Sequence, residues 1–209
     1  MTQLVIVGAG GHGKVVADIA ESLGCYSGIL FIDDAVDSLA EGPLGYPIAG
    51  GLSKVSMLGD ADVVVAIGDG RVRRRVSDVL EKDGRRIVSL VHPSAAISRH
   101  AVLGRGTVVM PGAVVGPDVR IGAGVIVNTS ASIDHDCVVG DYAHISVGSH
   151  LAGGVCIGEN TWIGIGAAVI NNVSVCSDVT VGAGAAVVRD VLDAGTYVGV
   201  PARKLVPQG

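Results

Sequence analysis

Counting from Ile97 in steps of six, through Leu103, Val109, Val115 and Ile121 to Val181 and Val187, all sixteen positions are Ile, Leu or Val. A second register four places later, from Ala101 to Val191, holds only small or β-branched residues. An α-helix repeats at about 3.6 residues and a strand at about 2, so neither gives a period of six. Six-residue repeats mark a parallel β-solenoid. With three hexads to a coil, sixteen hexads predict roughly five coils and, at about 4.8 Å between stacked strands, a prism about 25 Å long. Glycine directly follows the aliphatic residue at Gly104, Gly116, Gly122, Gly140, Gly158, Gly164 and Gly182, where a corner is expected to need unusual backbone angles. The interior of such a column tolerates no chemistry, so activity belongs to side chains that project from its corners.

Composition agrees with a narrow core: 49% of residues are hydrophobic but only 3% aromatic. No stretch approaches the roughly eighteen apolar residues of a membrane span, and the first apolar run meets GAGGHG at once. Neither a span nor a signal peptide is expected, which makes a cytoplasmic location the default. A net charge of −5 gives no electrostatic case for a nucleic-acid partner. The basic cluster Arg71 to Arg75 with Arg85 and Arg86 is interrupted by apolar positions and reads as the solvated face of a helix. Cys25, Cys137, Cys156 and Cys176 lack zinc-like spacing and read as packing residues in a reducing compartment, with no metal site.

Ahead of the repeat the chain changes character. Leu4–Val7 is a short apolar run leading into Gly8-Ala9-Gly10-Gly11-His12-Gly13-Lys14 and then a helical pattern through Val15, Val16, Ile19 and Leu23. Further apolar runs at 28–32, 63–67 and 87–91 predict four β segments in a small parallel sheet. His92-Pro93 marks the boundary, giving domains 1–92 and 93–209. The loop matches G-x-G-x-x-G, with Asp33 twenty residues beyond Gly13. A dinucleotide such as NAD is therefore one reading, but four strands give room for about one mononucleotide half. Val15 stands where a P-loop needs Ser or Thr for magnesium. Three glycines before a helix N-terminus fit a nucleotide diphosphate, with Asp33 and Asp34 placed to meet a base or ribose.

Six histidines are present: His12, His92, His100, His135, His144 and His150. Ile133 and Cys137 fall in the inward registers, which leaves His135 free to face outward between Asp134 and Asp136. An imidazole on a rigid corner beside a carboxylate is suited to general-base work. Spacing does not say which aspartate orients it.

The hexad pattern [Ile/Leu/Val]-Gly-x-x-[small]-x, with the ending Val198-Gly199-Val200-Pro201-Ala202-Arg203, resembles the hexapeptide-repeat acyltransferases. That resemblance implies a left-handed coil, against the usual right-handed crossover preference. It also implies a homotrimer with acetyl-CoA in the groove between neighbouring coils. The expected fold is thus an α/β N-terminal Rossmann-like small parallel sheet plus a C-terminal left-handed parallel β-helix. GAGGHGK, Ile32-Asp33-Asp34, Ala66-Ile67-Gly68-Asp69, Asn128, His135-Asp136 and 144–153 together resemble a closer group. These are the bacterial nucleotide-sugar N-acetyltransferases that acylate a UDP-linked 4-amino-4,6-dideoxy sugar, with sialic-acid-type O-acetyltransferases as relatives. By that resemblance His135 is the base and Asp136 its acidic partner, in a position where the group commonly has Glu. His144, Gly153 and Ile165 match acetyl-CoA contacts, with the Gly153 N–H at the thioester carbonyl. Gly10, Gly11, His12, Asp33, Asp34 and Asn128 are assigned to the substrate. Rival readings are a zinc hydrolase on a β-helix, which needs three converging histidines, and a non-catalytic sugar-nucleotide or NAD-binding protein.

Overall fold

The computed structural model describes residues 1–35, 41–57 and 59–206. The chain divides into two compact units, Met1–Pro93 and Ser94–Gly209.

In the first unit β1 (Thr2–Val7), β2 (Tyr26–Ile32) and β3 (Asp62–Val65) form a parallel sheet in the order β2-β1-β3. Leu4 to Val7 are all buried, as expected of a central parallel strand covered on both faces. Helix α1 (Gly11–Leu23) makes the crossover from β1 to β2 and ends at Gly24, whose φ of 61° suits a left-handed cap. Helix α2 (Gly70–Lys82) follows β3 and starts at Asp69, whose carboxylate accepts from Val72 N–H at 2.9 Å. Because β2 and β3 lie on opposite sides of β1, the connections reverse direction at its C-terminal end, where open α/β sheets bind ligands. The glycine loop sits there.

Three strands form, not the four expected. The run 87–91 divides: Ile87 makes one bridge to Val63, held by Val88 N–H to Val63 O, and the chain then leaves the sheet. Leu90–Val91 is a separate two-residue strand six places before Ala96–Ile97. The hexad register therefore begins one repeat earlier than the sequence suggested.

In the second unit, strands mostly two residues long wind into three parallel walls. The first wall contains Val108–Val109, Ile126–Val127, His144–Ile145, Trp162–Ile163 and Val179–Val181. The second runs from Ala96–Ile97 through Ser132–Ile133 and His150–Leu151 to Ala186–Val187, and the third from Val102–Leu103 through Val138–Val139 to Ser174–Val175. The six strands of the second wall put the coil at about six turns, against the five expected. Gly195–Val198 continues the first wall, and Arg203–Lys204 pairs antiparallel with it to end the stack.

Both hexad registers point inward. Fourteen of the sixteen aliphatics, from Val109 to Val187, are buried, while Ile97 and Leu103 at the open end are half-buried. The polar members of the small register are satisfied by carbonyls: Thr107 by Gly122, Ser149 by Ser146 and Thr161 by Cys176. Of the four cysteines only Cys137 fills this core; Cys25 and Cys156 are exposed, so the packing reading does not hold for them.

The corners also differ from expectation. Positive φ recurs at every sixth residue from Gly106 to Gly184, fourteen times, and not at the glycines that follow the aliphatics. Seven of these corner residues are glycine; the others are Asp118, Ser130, Asp136, Tyr142, Asn160, Asn172 and Asp178. The glycines after the aliphatics serve close approach instead. A Cβ on Gly158 would lie 2.3 Å from Ser177 N and 2.6 Å from Cys176 C, both backbone atoms of the next coil. Gly158→Ala must push two coils apart, and is expected to destabilise the solenoid by about 1–3 kcal/mol in thermal or denaturant unfolding.

Candidate active site

The coil stacks corner on corner, which brings together residues eighteen apart. Asp136 N–H donates to Pro117 O, Gly154 N–H to His135 O at 2.9 Å, and Asn172 N–H to Gly153 O at 3.0 Å. His135 and Gly153 are therefore adjacent rungs of one corner. His135 has its side chain 54% exposed, and Asp136 adopts the left-handed corner conformation, φ 59°. That turn folds the short Asp136 carboxylate back onto the ring, 2.7 Å from Nδ1. Asp134 is used differently: its Oδ1 accepts the His135 backbone N–H at 2.8 Å. Asp136 is thus the residue that orients the imidazole. A carboxylate only accepts, so Nδ1 carries the proton and Nε2 keeps its lone pair. The hydrogen bond to Asp136, and after it the charge of Asp134, raises the His135 pKa above the ordinary histidine value.

Gly153 leaves the space the ring occupies. A Cβ there would lie 2.5 Å from both Cε1 and Nε2 of His135. Its N–H finds no acceptor among the described residues.

A second cluster lies on the first wall. His144 faces outward from its strand yet is only 8% exposed. Its Nε2 lies 3.0 Å from Asn128 Nδ2, and its ring stacks on Trp162 with centroids 4.6 Å apart. Trp162 Nε1 donates to Ser146 Oγ at 2.6 Å. Ile165, 61% exposed, sits at the next corner beside Val147, whose O accepts from Gly166 N–H. Asn128, assigned to the substrate, is joined to His144. In chain order the His135 corner lies between the second and third walls, and so stands opposite the first wall. Within one chain His135 and His144 face different ways. His150 is on the second wall, with Nδ1 2.8 Å from Ser132 Oγ. Among the described residues no group of three or more His, Cys, Asp or Glu is placed to hold a metal ion.

In the first unit, the glycine loop is braced from beneath. Asp33 accepts from Ala9 N–H at 2.7 Å and from Ala35 N–H at 2.9 Å, and Asp34 from Leu52 N–H at 2.8 Å. A Cβ on Gly13 would meet Gly8 O at 2.0 Å, so α1 packs tightly on the loop. Gly10 and Gly11 face open space. A cavity of about 180 Å³ opens at the C-terminal edge of the sheet, lined by Gly8, Asp33, Asp34, Leu52 and Ile67 among others. His12 Nε2 is buried with no hydrogen-bond partner among the described residues, and burial, then the charge of Arg73, lowers its pKa to about 4.

Arg73 and Trp162 escaped the sequence reading. Arg73 is 1% exposed, and its guanidinium binds Ile67 O and Gly68 O at 2.7 and 2.9 Å. The basic cluster is therefore not all solvated face. Arg73, Ser77 and Leu80 are the buried residues of α2, at the i, i+4, i+7 spacing that would have shown it. Trp162 stands eighteen residues after His144 in the same register, which was the available signal.

The left-handed β-helix, with a carboxylate-oriented histidine on one corner and a small crevice beside the glycine loop of the leading unit, defines a hexapeptide-repeat acetyltransferase. Residues 3–80 match the family described as the PglD N-terminal domain, and residues 95–135 the bacterial transferase hexapeptide repeats. The chain is similar to the acetyltransferase domain of PglB from Neisseria gonorrhoeae FA1090, solved with acetyl coenzyme A. The two are 42% identical with a TM-score of 0.94, over 97% of this chain and 98% of that one. It is also similar to PerB from Caulobacter crescentus, solved with CoA and GDP-perosamine, with 38% identity, a TM-score of 0.92, and 99% and 98% of the two chains covered. The UDP-N-acetylbacillosamine N-acetyltransferase of Bacillus subtilis (strain 168) is 36% identical over 112 residues, a match that spans 53% of this chain and about half, 52%, of that protein. The chain belongs to the bacterial nucleotide-sugar N-acetyltransferases. No helix among the described residues is long and apolar enough to cross a membrane.

Proposed function

We propose that this protein moves the acetyl group of acetyl-CoA to the amino group of a nucleotide-linked 4-amino-4,6-dideoxy sugar, by direct transfer with His135 as general base. The observation that carries this reading is the imidazole held at 2.7 Å by Asp136 with its Nε2 beside Gly153. The amine nitrogen attacks the thioester carbonyl carbon, and Nε2 takes the proton that the nitrogen must lose. The tetrahedral oxyanion is met by the unpartnered Gly153 N–H, the kind of preorganised donor that lowers such barriers. Collapse breaks the C–S bond, and the thiolate leaves as CoA thiol with the proton from His135. No covalent enzyme intermediate and no metal enter this scheme.

The nucleotide handle belongs in the first unit. The backbone at Gly10 and Gly11 and the half-buried His12 suit phosphate oxygens at a helix N-terminus, and the cavity beside Asp33 and Asp34 suits the base. His144 and Ile165 belong to acetyl-CoA. Since His135 and His144 stand on opposite sides of the coil, the base of one subunit and the acetyl-CoA contacts of another complete one site, as a homotrimer arranges. We place the enzyme in the cytoplasm, where its co-substrate is made.

UDP-, dTDP-, GDP- and CMP-linked amino sugars, each assayed with acetyl-CoA for release of CoA thiol, test the proposal. At least one is expected to turn over and gain an N-acetyl group; no turnover with any, alongside tight nucleotide binding, would instead mark a sugar-nucleotide sensor. The Asp136→Asn variant checks the base. His135 works only when unprotonated, so its raised pKa places the acid limb of the pH profile above the usual ~6.5. Removing the carboxylate charge is expected to move that limb to lower pH. It should also cost about 10–100-fold in kcat, as the ring loses its orientation.

A further inference from the structure

We infer that Asn128 and Trp162 are positioning residues that lock His144 in the tautomer with its proton on Nδ1, so that this ring offers a hydrogen-bond donor and not a second base. The Asn128 amide has a fixed orientation. Its Oδ1 accepts the Thr129 backbone N–H at 2.8 Å, and a backbone N–H only donates, so the oxygen end of the amide is fixed there. The NH₂ end must then be the group 3.0 Å from His144 Nε2. An amide NH₂ also only donates, so Nε2 has to accept and cannot carry a proton. In the neutral ring the proton is on Nδ1. The opposite tautomer, like the imidazolium, would set N–H against N–H inside a pocket that leaves His144 8% exposed.

Trp162 supplies the wall that stops the ring from turning away. Its indole lies 4.6 Å from the imidazole, at an interplanar angle of 29°. The indole is in turn pinned by its Nε1–H to Ser146 Oγ, and Ser146 is 2% exposed. The two side chains come from adjacent coils, His144 pairing with Trp162 across the first wall. The contrast with His135 gives the arrangement its use. There an acceptor on Nδ1 leaves Nε2 basic; here a donor on Nε2 leaves Nδ1–H as the group to be offered. Two histidines of one family site are thereby given opposite tasks by their neighbours.

The use of that donor rests on the reading that His144 faces acetyl-CoA, so the test separates the two. Long-range ¹H–¹⁵N spectra of the histidine-labelled wild-type protein report which ring nitrogen bears the proton. The His144 signals are assigned by their loss in His144→Gln or, if that variant does not fold, by their contacts with the single Trp. A protonated Nδ1 and a bare Nε2 are expected; a proton on Nε2 overturns the inference. Asn128→Asp puts an acceptor against Nε2 and is expected to move the proton there. The KM for acetyl-CoA should then rise at least tenfold while that for the amino-sugar nucleotide holds. Trp162→Phe should keep the tautomer and most of the affinity, whereas Trp162→Ala should show both tautomers. An unchanged tautomer in Asn128→Asp also overturns the inference. A switched tautomer with an unchanged KM for acetyl-CoA would leave the lock standing and remove the acetyl-CoA contact instead.

Discussion

His135→Ala is expected to lower kcat by about 10²–10⁴-fold, the usual contribution of a positioned general base, without weakening the binding of the nucleotide sugar. The separation follows from where the side chain sits. It is 54% exposed, packs in no core and makes its side-chain hydrogen bond to Asp136, itself on the surface. The backbone at this position carries the structural load: its carbonyl accepts Gly154 N–H from the next coil, a bond that alanine keeps. Thermal unfolding of the variant should therefore match the wild type, and binding of the unreacted nucleotide, measured by calorimetry, should be unchanged. Added imidazole is expected to restore part of the rate. Retained turnover would remove His135 as the base.

Gly153→Ala should be almost as damaging to turnover, although it removes no titratable group. The added methyl would stand 2.5 Å from Nε2 and Cε1 of His135, well inside contact distance. The obstructed atoms are the far end of a half-exposed side chain, so the ring swings aside and the fold survives. This is the reverse of Gly158→Ala, where the clash is with backbone and the coil itself must move. We expect kcat to fall about 100-fold or more with little change in Tm, because a displaced base loses both reach and alignment. The double variant His135→Ala/Gly153→Ala discriminates further. If glycine matters by making room for the ring, the second substitution adds little once the ring is gone, and the two effects fail to add. A full additional loss would assign Gly153 a separate share, at the thioester oxygen.

What the sequence revealed and what it hid divide along a physical line. The two inward registers were legible because a narrow column accepts only aliphatic or small side chains, and any exception would leave a void or a clash. The corner conformation was not legible. Asp118, Asn160, Tyr142 and glycine all adopt it, so no single residue type marks the position. The conspicuous glycines mark close approach and not the corner angle expected of them, since Gly158 is required by the backbone of the next coil and not by its own φ. The run 87–91 looked like one strand because its apolar content is continuous; it is divided because its last two residues already obey the six-residue period. At the site, His135 stood out by its flanking carboxylates, but choosing Asp136 over Asp134 needed the corner geometry. The Trp162–His144 stack has no local sequence signal and shows only in the eighteen-residue spacing, which makes the two residues neighbours on adjacent coils. Arg73 hid among exposed arginines, and only the helical face it shares with Ser77 and Leu80 sets it apart.

The central claim, that the acetyl group passes directly from the thioester to a nucleotide-bound amine, is tested most directly by mixing the enzyme with acetyl-labelled acetyl-CoA, first alone and then with the amino-sugar nucleotide that turns over. Without the acceptor an unlabelled protein and negligible release of CoA are expected; with it, label should appear on the sugar nitrogen in step with CoA release. Label trapped on the protein, or CoA released equally fast in both mixtures, would contradict it.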